Sequence, residues 1–464
     1  MSAASARLLF GAPASGSGKT TFTCGLMHAL VRRGMRVSAC KCGPDYIDPL
    51  FHTEVIGAPS RNLDLFFAGE DLLCELLADS IATGDIAIVE GAMGYYDGIA
   101  VSADASAWDV ARATQTPAVL VVDGRGRARS IAAEVLGFAR FRENSQVAGV
   151  VLNRASEMLY PQLKELVEAE TGIDVYGYVP VLPDCSLESR HLGLVTAAEV
   201  ADLRHKLDRL ADTMERTVDI EGLLALAASA ARLDRRKTLG GYCAMEPSAA
   251  AKPRIAIARD DAFCFYYADT LGLFRSLGAE LVEFSPLHDA SLPEGVCGLY
   301  LGGGYPELHA RELSGNASMR EAVKAAVRSG MPTIAECGGF LYLHEQLEGD
   351  DGIAYPQVGV LSGRAFRTQR LGRFGYVTLT AERDGLLAAA GDALRAHEFH
   401  YWDVDDPGDA FVAEKPQSKR SWSCCISTST LHAGFPHLYL PAHPKAASRF
   451  VDACRRFAAG HGRT

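Results

Sequence analysis

The hexapeptide Gly16-Ser17-Gly18-Lys19-Thr20-Thr21 follows an apolar run at residues 7–12 and opens an amphipathic stretch, 19–33, that Gly34 ends. A glycine-rich turn between a buried strand and a helix N-terminus presents backbone N–H groups that cradle phosphates. Lys19 is placed to reach the terminal phosphates and Thr20 to ligate magnesium, so the turn reads as a site for ATP with Mg2+. The strict pattern asks for glycine at position 13, where this chain has Pro13. A glycine-rich turn with a chance lysine is the competing explanation. Such a loop belongs at the carboxyl edge of a parallel sheet covered on both faces. Buried-strand patterns at 35–41, 86–90, 118–123, 147–153 and 175–179, spaced by helix-length segments such as 129–141, predict that sheet and an α/β fold.

The pattern turns helical and charged over 203–233. Residues 237–252 then lose periodicity and gather Gly, Ala and Pro, as a linker does. A second alternation follows, with strands expected at 255–259, 280–284, 298–301 and 332–336 and a helix at 267–277. The expected division is therefore 1–236, a linker 237–252, and 253–464. A chain of 464 residues that is 48% hydrophobic has enough apolar material for two cores. The net charge of −11 with no basic block argues against a nucleic-acid partner, while leaving room for a local pocket that takes an anionic small molecule. No membrane-spanning run stands out, and none of the twelve cysteines forms a Cys-x-x-Cys pair. Reduced thiols in a cytoplasmic protein are the expectation.

Two segments bring carboxylates to strand ends near the phosphate loop. Lys41-Cys-Gly43-Pro44-Asp45-Tyr46-Ile47-Asp48 carries Asp45 and Asp48; Glu90-Gly-Ala-Met-Gly-Tyr-Tyr-Asp97-Gly98 carries Glu90 and Asp97. Carboxylates around bound triphosphate make sense when magnesium and a substrate need orienting, because bare carboxylates repel phosphate. Turn formation is the plain alternative for Pro-Asp and Asp-Gly. Asp123 suits either an outer magnesium shell or a loop cap. Asn153 ends a strand where an amide could read the adenine edge.

In the second half, Gly302-Gly303-Gly304-Tyr305-Pro306-Glu307 follows an apolar strand, and the N–H groups of Gly303 and Gly304 could form an oxyanion hole. Cys337 stands in Ala335-Glu336-Cys337-Gly338-Gly339, between a strand and a helix expected over 338–346, as a sharp nucleophile turn requires. A helix N-terminus there would lower the thiol pKa. The base could be His437, with His397 and His400 competing and His443 a weaker candidate. The His-x-x-His spacing of 397 and 400 lacks the extended pattern of a zinc helix.

Taken together, residues 43–48, 90–98, 302–307, 336–339 and 397–401 resemble the cobyrinate a,c-diamide synthase family, in that family's order and over nearly the whole chain. The resemblance implies an N-terminal P-loop domain, dethiobiotin-synthetase-like, joined to a C-terminal class I glutamine amidotransferase domain of flavodoxin-like fold. It makes Cys337 the glutaminase nucleophile and His437 its base. Family members lack the carboxylate that other class I glutaminases carry two residues after the histidine, and Tyr439 stands there. Partitioning ATPases, related in fold, have an early loop lysine where this chain has Ala14.

What the resemblance implies is ligase chemistry on L-glutamine and a polycarboxylate tetrapyrrole, cobyrinate, in cobalamin biosynthesis. Two carboxylates, a and c, would pass through acyl phosphates, with magnesium held by Thr20, Asp45 and Glu90, and Asp48 or Asp97 positioning substrate or accepting a proton. A homodimer is an assembly this reading leaves open. Other tetrapyrroles (hydrogenobyrinate, nickel-sirohydrochlorin, sirohaem) would carry the same chemistry. An ATP-driven switch with a non-catalytic C-terminal domain is the alternative from another class. Lys41 and Arg61 are candidates to grip the macrocycle.

Overall fold

Short runs, most of them apolar, become the strands of a seven-stranded sheet. They are β1 (Arg7–Gly11), β2 (Val37–Cys42), β3 (Ser60–Leu63), β4 (Ile86–Glu90), β5 (Ala118–Asp123), β6 (Val147–Asn153) and β7 (Val175–Val179). Every pairing is parallel, in the order β3-β2-β4-β1-β5-β6-β7. The computed structural model that shows this describes residues 6–185, 187, 197–233 and 252–461. The linker expected over 237–252 falls outside the described residues, Lys252 apart. The chain divides into two compact units, 1–238 and 239–464.

Side chains alternate across a strand, so a sheet with helices on both faces buries every residue. Leu8 and Phe10 of β1 enter one core with Val119 and Val121 of β5, while Leu9 between them is equally buried. Helix Lys19–Arg32 contributes Phe22, Leu26 and Leu30 to that core. Helix Ala197–Thr217 lies close against it, for a Cβ at Gly25 would fall 2.6 Å from Leu210 and 2.8 Å from Met214. The segment after helix Ile220–Ala228 is tied back to β1 by Arg7, which is fully buried. Its guanidinium donates to Thr116 Oγ1 at 3.0 Å, Thr114 O at 2.9 Å and Ala231 O at 2.8 Å.

In the C-terminal unit, β8 (Arg254–Ala258), β9 (Phe263–Phe265), β10 (Glu280–Phe284), β11 (Gly298–Leu301), β12 (Gly303–Gly304) and β13 (Thr333–Glu336) come in chain order. The main sheet runs β10-β8-β11-β13 and continues with strands Leu431–Gly434 and Ile426–Ser427, the last antiparallel. Alternation again feeds two cores: Ile257, Tyr300 and Ile334 enter one, Ala256, Leu299 and Ala335 the other. A five-stranded antiparallel sheet orders Ser421–Cys424, Phe411–Glu414, Arg373–Ala381, Ala393–His400 and His437–Leu438. A third sheet joins Ala354–Pro356, His344–Glu348, Leu361–Arg367 and Trp402–Val404.

The helix expected over 338–346 is shorter than its sequence suggests. It spans Gly338–Leu343, because His344 turns extended (φ −71°, ψ 170°) and begins a strand of the third sheet. The two sheets built between 344 and 438, one antiparallel and one mixed, have no counterpart in the sequence expectations apart from a short strand candidate at His437. Val377, Leu379 and Ala381 are buried at alternate positions there, a period-two signal that a search for α/β alternation passes over.

Replacing Arg7 by Leu leaves two buried acceptors, Thr116 Oγ1 and Thr114 O, and the exposed Ala231 O without this donor. The expected loss is about 2–4 kcal/mol of stability, read from urea unfolding of the full chain. A change below about 0.5 kcal/mol would show that the clamp contributes nothing.

Candidate functional site

Sheet register decides which side chains meet beside the phosphate loop. Lys41 pairs with Glu90 across β2 and β4, and Phe10 pairs with Glu90 across β1 and β4. Three strand ends therefore converge where the loop after β1 turns into helix Lys19–Arg32. Ligands of open parallel sheets bind at such carboxyl edges.

Glu90 is fully buried and is the hub. Its Oε1 accepts from Thr20 Oγ1 at 2.6 Å and from Lys41 Nζ at 2.7 Å, while Oε2 faces His52 Nε2 at 3.2 Å. Burial opposes its ionisation, but Lys41 and His52 overcome that and hold its pKa well below the carboxylate range. Lys41 also pairs with Asp48 Oδ2 at 2.6 Å. Burial works against its charge, yet Glu90 and Asp48 raise its pKa above the ordinary lysine value. Its ammonium is thus held inside this network, which corrects the expectation that it grips a macrocycle. Arg61, the other candidate for that grip, donates to Leu76 O at 2.7 Å.

Lys19 is buried and donates to Met93 O at 3.0 Å. Burial, then the nearby Lys41, lowers its pKa to about 8. Asp45 caps the turn ahead of helix Ile47–Phe51, with Oδ1 accepting from Ile47 N at 2.8 Å and Asp48 N at 3.2 Å. Burial and Asp48 raise its pKa, so a cation is needed to favour its charged form. Hard oxygens suit magnesium, and Thr20, Glu90 and Asp45 are the residues that would hold it. Cys24, His52 and Glu90 bring one ligand atom each within 4.8 Å of one another. Sulfur and imidazole suit softer metals than magnesium.

Three further residues named from the sequence lie around the loop. Asn153 donates an amide N–H to Ser17 O at 2.9 Å and so braces the phosphate loop. Asp123 pairs with Arg154 at 2.6 Å, and Arg154 donates to Gly16 O at 2.9 Å. Asp123 is therefore a loop support rather than an outer magnesium ligand. Asp97 is exposed and accepts from Gly94 N at 3.0 Å, the turn-forming alternative. Thr21 lies in the first turn of the helix. His52 was not anticipated, although its i, i+4 spacing from Asp48 in a helical segment was a usable signal.

In the second unit, Cys337 directly follows β13 with φ 48° and ψ −101°, a sparsely populated conformation. Its N–H donates to Gly434 O at 2.8 Å, and helix Gly338–Leu343 starts at the next residue. The glycines that follow are required by contact. A Cβ at Gly339 would fall 2.2 Å from Leu301 O, and one at Gly338 would fall 3.1 Å from Gly304 N. The Gly303–Gly304 strand thus lies against the nucleophile turn. On its other side, a Cβ at Gly303 would fall 2.5 Å from His437 Cε1.

His437 pairs in register with His397 on strand Ala393–His400. Burial, followed by His397 and His400, lowers its pKa to about 3, so the ring is neutral at rest. His400 stacks on Phe435 with ring centroids 3.8 Å apart, and His443 Nε2 accepts from Arg395 N at 2.8 Å. Their geometry is that of packing and backbone support. The Cys337 thiol contradicts the expectation drawn from the helix N-terminus. Burial and Glu307 push its pKa up, outweighing the Gly338 N–H that lowers it. Glu307 and Glu336 are themselves raised to about 7 by burial.

A phosphate loop on a parallel sheet in one unit and a cysteine elbow beside a glycine strand and a histidine in the other define a glutamine-dependent amidating ligase. Residues 8–194 match the family described as the CobQ/CobB/MinD/ParA nucleotide binding domain, and 254–440 match the CobB/CobQ-like glutamine amidotransferase domain. The chain belongs to the cobyrinate a,c-diamide synthase family. It is 37% identical to the cobyrinate a,c-diamide synthase of Caldanaerobacter subterraneus over 96% of this chain and 97% of that one. It is 39% identical to that of Listeria monocytogenes, covering 93% and 96%, and 38% identical to that of Salmonella typhimurium, covering 95% and 96%.

Gly18 has φ +91°, and a Cβ there would fall 1.9 Å from Asn153 Nδ2. Gly18→Ala is expected to weaken nucleotide binding roughly 30- to 100-fold by calorimetry, the equivalent of about 2–3 kcal/mol of strain; unchanged affinity would contradict the close fit. A raised thiol pKa means less thiolate at any given pH. Alkylation of Cys337 by iodoacetamide without glutamine should therefore be slow at pH 7 and still rising beyond pH 9. A plateau already reached at pH 7 would show a preformed thiolate.

Proposed function

We propose that this chain amidates the a and c carboxylates of cobyrinate, using ATP and ammonia released from L-glutamine. The observation that carries the reading is near-full-length similarity to relatives of that name, joined with the Thr20–Glu90–Lys41–Asp48 network at the phosphate loop. A substrate carboxylate oxygen attacks the γ-phosphorus of ATP, and ADP leaves, giving an acyl phosphate. Bound magnesium supplies neutralising charge at the terminal phosphates. Lys19, released from Met93 O, moves its charge onto those phosphates. Lys41 keeps Glu90 ionised and orders Asp48, and Asp45 fixes the turn on which Asp48 stands. Ammonia then attacks the acyl carbon, phosphate leaves with its electron pair, and the amide sheds one proton.

In the other unit the Cys337 sulfur bonds to the glutamine amide carbon as its proton passes to His437 Nε2. N–H groups of Gly303 and Gly304 face the oxyanion; one such donor is worth roughly 3–4 kcal/mol in the transition state. The imidazolium returns the proton as the C–N bond breaks and ammonia departs. Water hydrolyses the thioester to glutamate and restores the thiol.

Cys337→Ala should lower glutamine-driven amidation at least ~1000-fold while ammonia-driven amidation stays near the wild-type rate. Equal loss with both nitrogen sources would refute two separate chemistries. The acceptor is tested with a panel of tetrapyrrole acids, ATP and glutamine, followed by mass spectrometry for exchange of –OH by –NH2. Conversion of another ring in preference to cobyrinate would overturn the substrate assignment.

A further inference from the structure

We propose that Glu336 is the positioning residue of the glutaminase, its buried carboxylate orienting the His437 ring and stabilising the cation formed when that ring takes the Cys337 proton. The proposal rests on the reading of Cys337 and His437 given above. Glu336 is the last residue of β13, directly before the nucleophile, and is 1% exposed. Its Oε1 accepts from the N–H of Leu438, the residue after His437, at 3.1 Å. Its Oε2 accepts from the Tyr300 hydroxyl at 2.9 Å and lies 4.0 Å from His437 Nδ1. The carboxylate therefore holds the backbone of the two-residue strand His437–Leu438 and faces one edge of the imidazole.

The other edge of the ring points to the chemistry. A Cβ at Gly303 would meet His437 Cε1 at 2.5 Å and Nε2 at 3.4 Å, and the Gly303–Gly304 strand lies against the Cys337 turn. A base that works through Nε2 carries its resting proton on Nδ1, the tautomer that a carboxylate on the Nδ1 side favours. At rest burial holds the His437 ring neutral, its pKa lowered to about 3, and raises that of Glu336 to about 7. Transfer of the sulfur proton creates an imidazolium in a site of low polarity, where a facing carboxylate counts most. His397 and His400 also act on the ring and oppose its charge. Tyr439 does not compete for this task, because its hydroxyl donates to Asp269 Oδ2 at 2.9 Å.

Glu336→Gln keeps the side-chain volume and an acceptor for Leu438 N–H while removing the charge. In the full reaction with ATP and a tetrapyrrole acid, glutamine-driven kcat is expected to fall roughly 100-fold. KM for glutamine, ammonia-driven amidation and Tm should stay unchanged, and Glu336→Asp should recover part of the loss. Wild-type kcat in Glu336→Gln, or parallel loss of both activities with a lowered Tm, overturns the proposal. Should the Gln variant not fold, the Asp variant decides: a kcat loss confined to glutamine supports the role, and loss shared with ammonia overturns it. Cys337→Ala assayed in parallel separates the two readings. If it keeps glutamine-driven activity, the nucleophile assignment fails and Glu336 with it. If it is inactive while Glu336→Gln behaves as wild type, only the Glu336 role fails.

Discussion

Glu90 has no access to solvent, and a carboxylate in that position is tolerable only when its partners are complete. Each partner comes from a different piece of chain: Thr20 from the helix after the phosphate loop, Lys41 from β2, and His52 from the turn beyond helix Ile47–Phe51. The register of β2, β4 and β1 brings these pieces to one level, and Lys41 extends the network to Asp48. Removing one member leaves an uncompensated charge in the interior, so the network stands or falls as a unit. The phosphate loop, the Asp45 turn and the β4 strand end are therefore positioned by the same electrostatic requirement that prepares the site for a triphosphate.

The second unit solves a similar problem with different material. A cysteine at φ 48° stores strain of roughly 1–3 kcal/mol, which the surrounding contacts must hold. Gly338 and Gly339 let the helix approach Pro306, Gly304 N and Leu301 O more closely than any Cβ would allow. Buried carboxyls at Glu307 and Glu336, together with neutral histidines, keep the resting site low in net charge.

Much of the fold was legible in the chain. The strands at 86–90, 118–123, 147–153 and 175–179 end where their apolar runs end, because parallel strands buried on both faces show as continuous hydrophobic runs. The phosphate loop and the cysteine elbow were legible because their glycines mark backbone conformations and approaches closed to other residues. The sheets after Leu343 were hidden by weaker, alternating patterns. His344 illustrates the difficulty: a helix-compatible sequence turns extended where its burial against a different layer is more favourable. Asn153, Asp123 and Lys41 show what the chain alone leaves open. Each is a polar residue at a strand end, and sequence alone does not say whether it faces a ligand or a neighbouring backbone group.

Local order and its punctuation are properties of the amino-acid string, since side-chain period and permitted φ values act over a few residues. By that route the chain itself determined two α/β units, a triphosphate loop at residues 16–21 and a reactive-cysteine turn at 337. Protonation and partnership were settled only by tertiary structure. Whether the Cys337 thiol is raised or lowered, and whether Lys41 meets a substrate or Glu90, depends on burial and on strand register. Both bring together residues that are far apart in the chain, so the energies that decide them arise only once the sheets have formed.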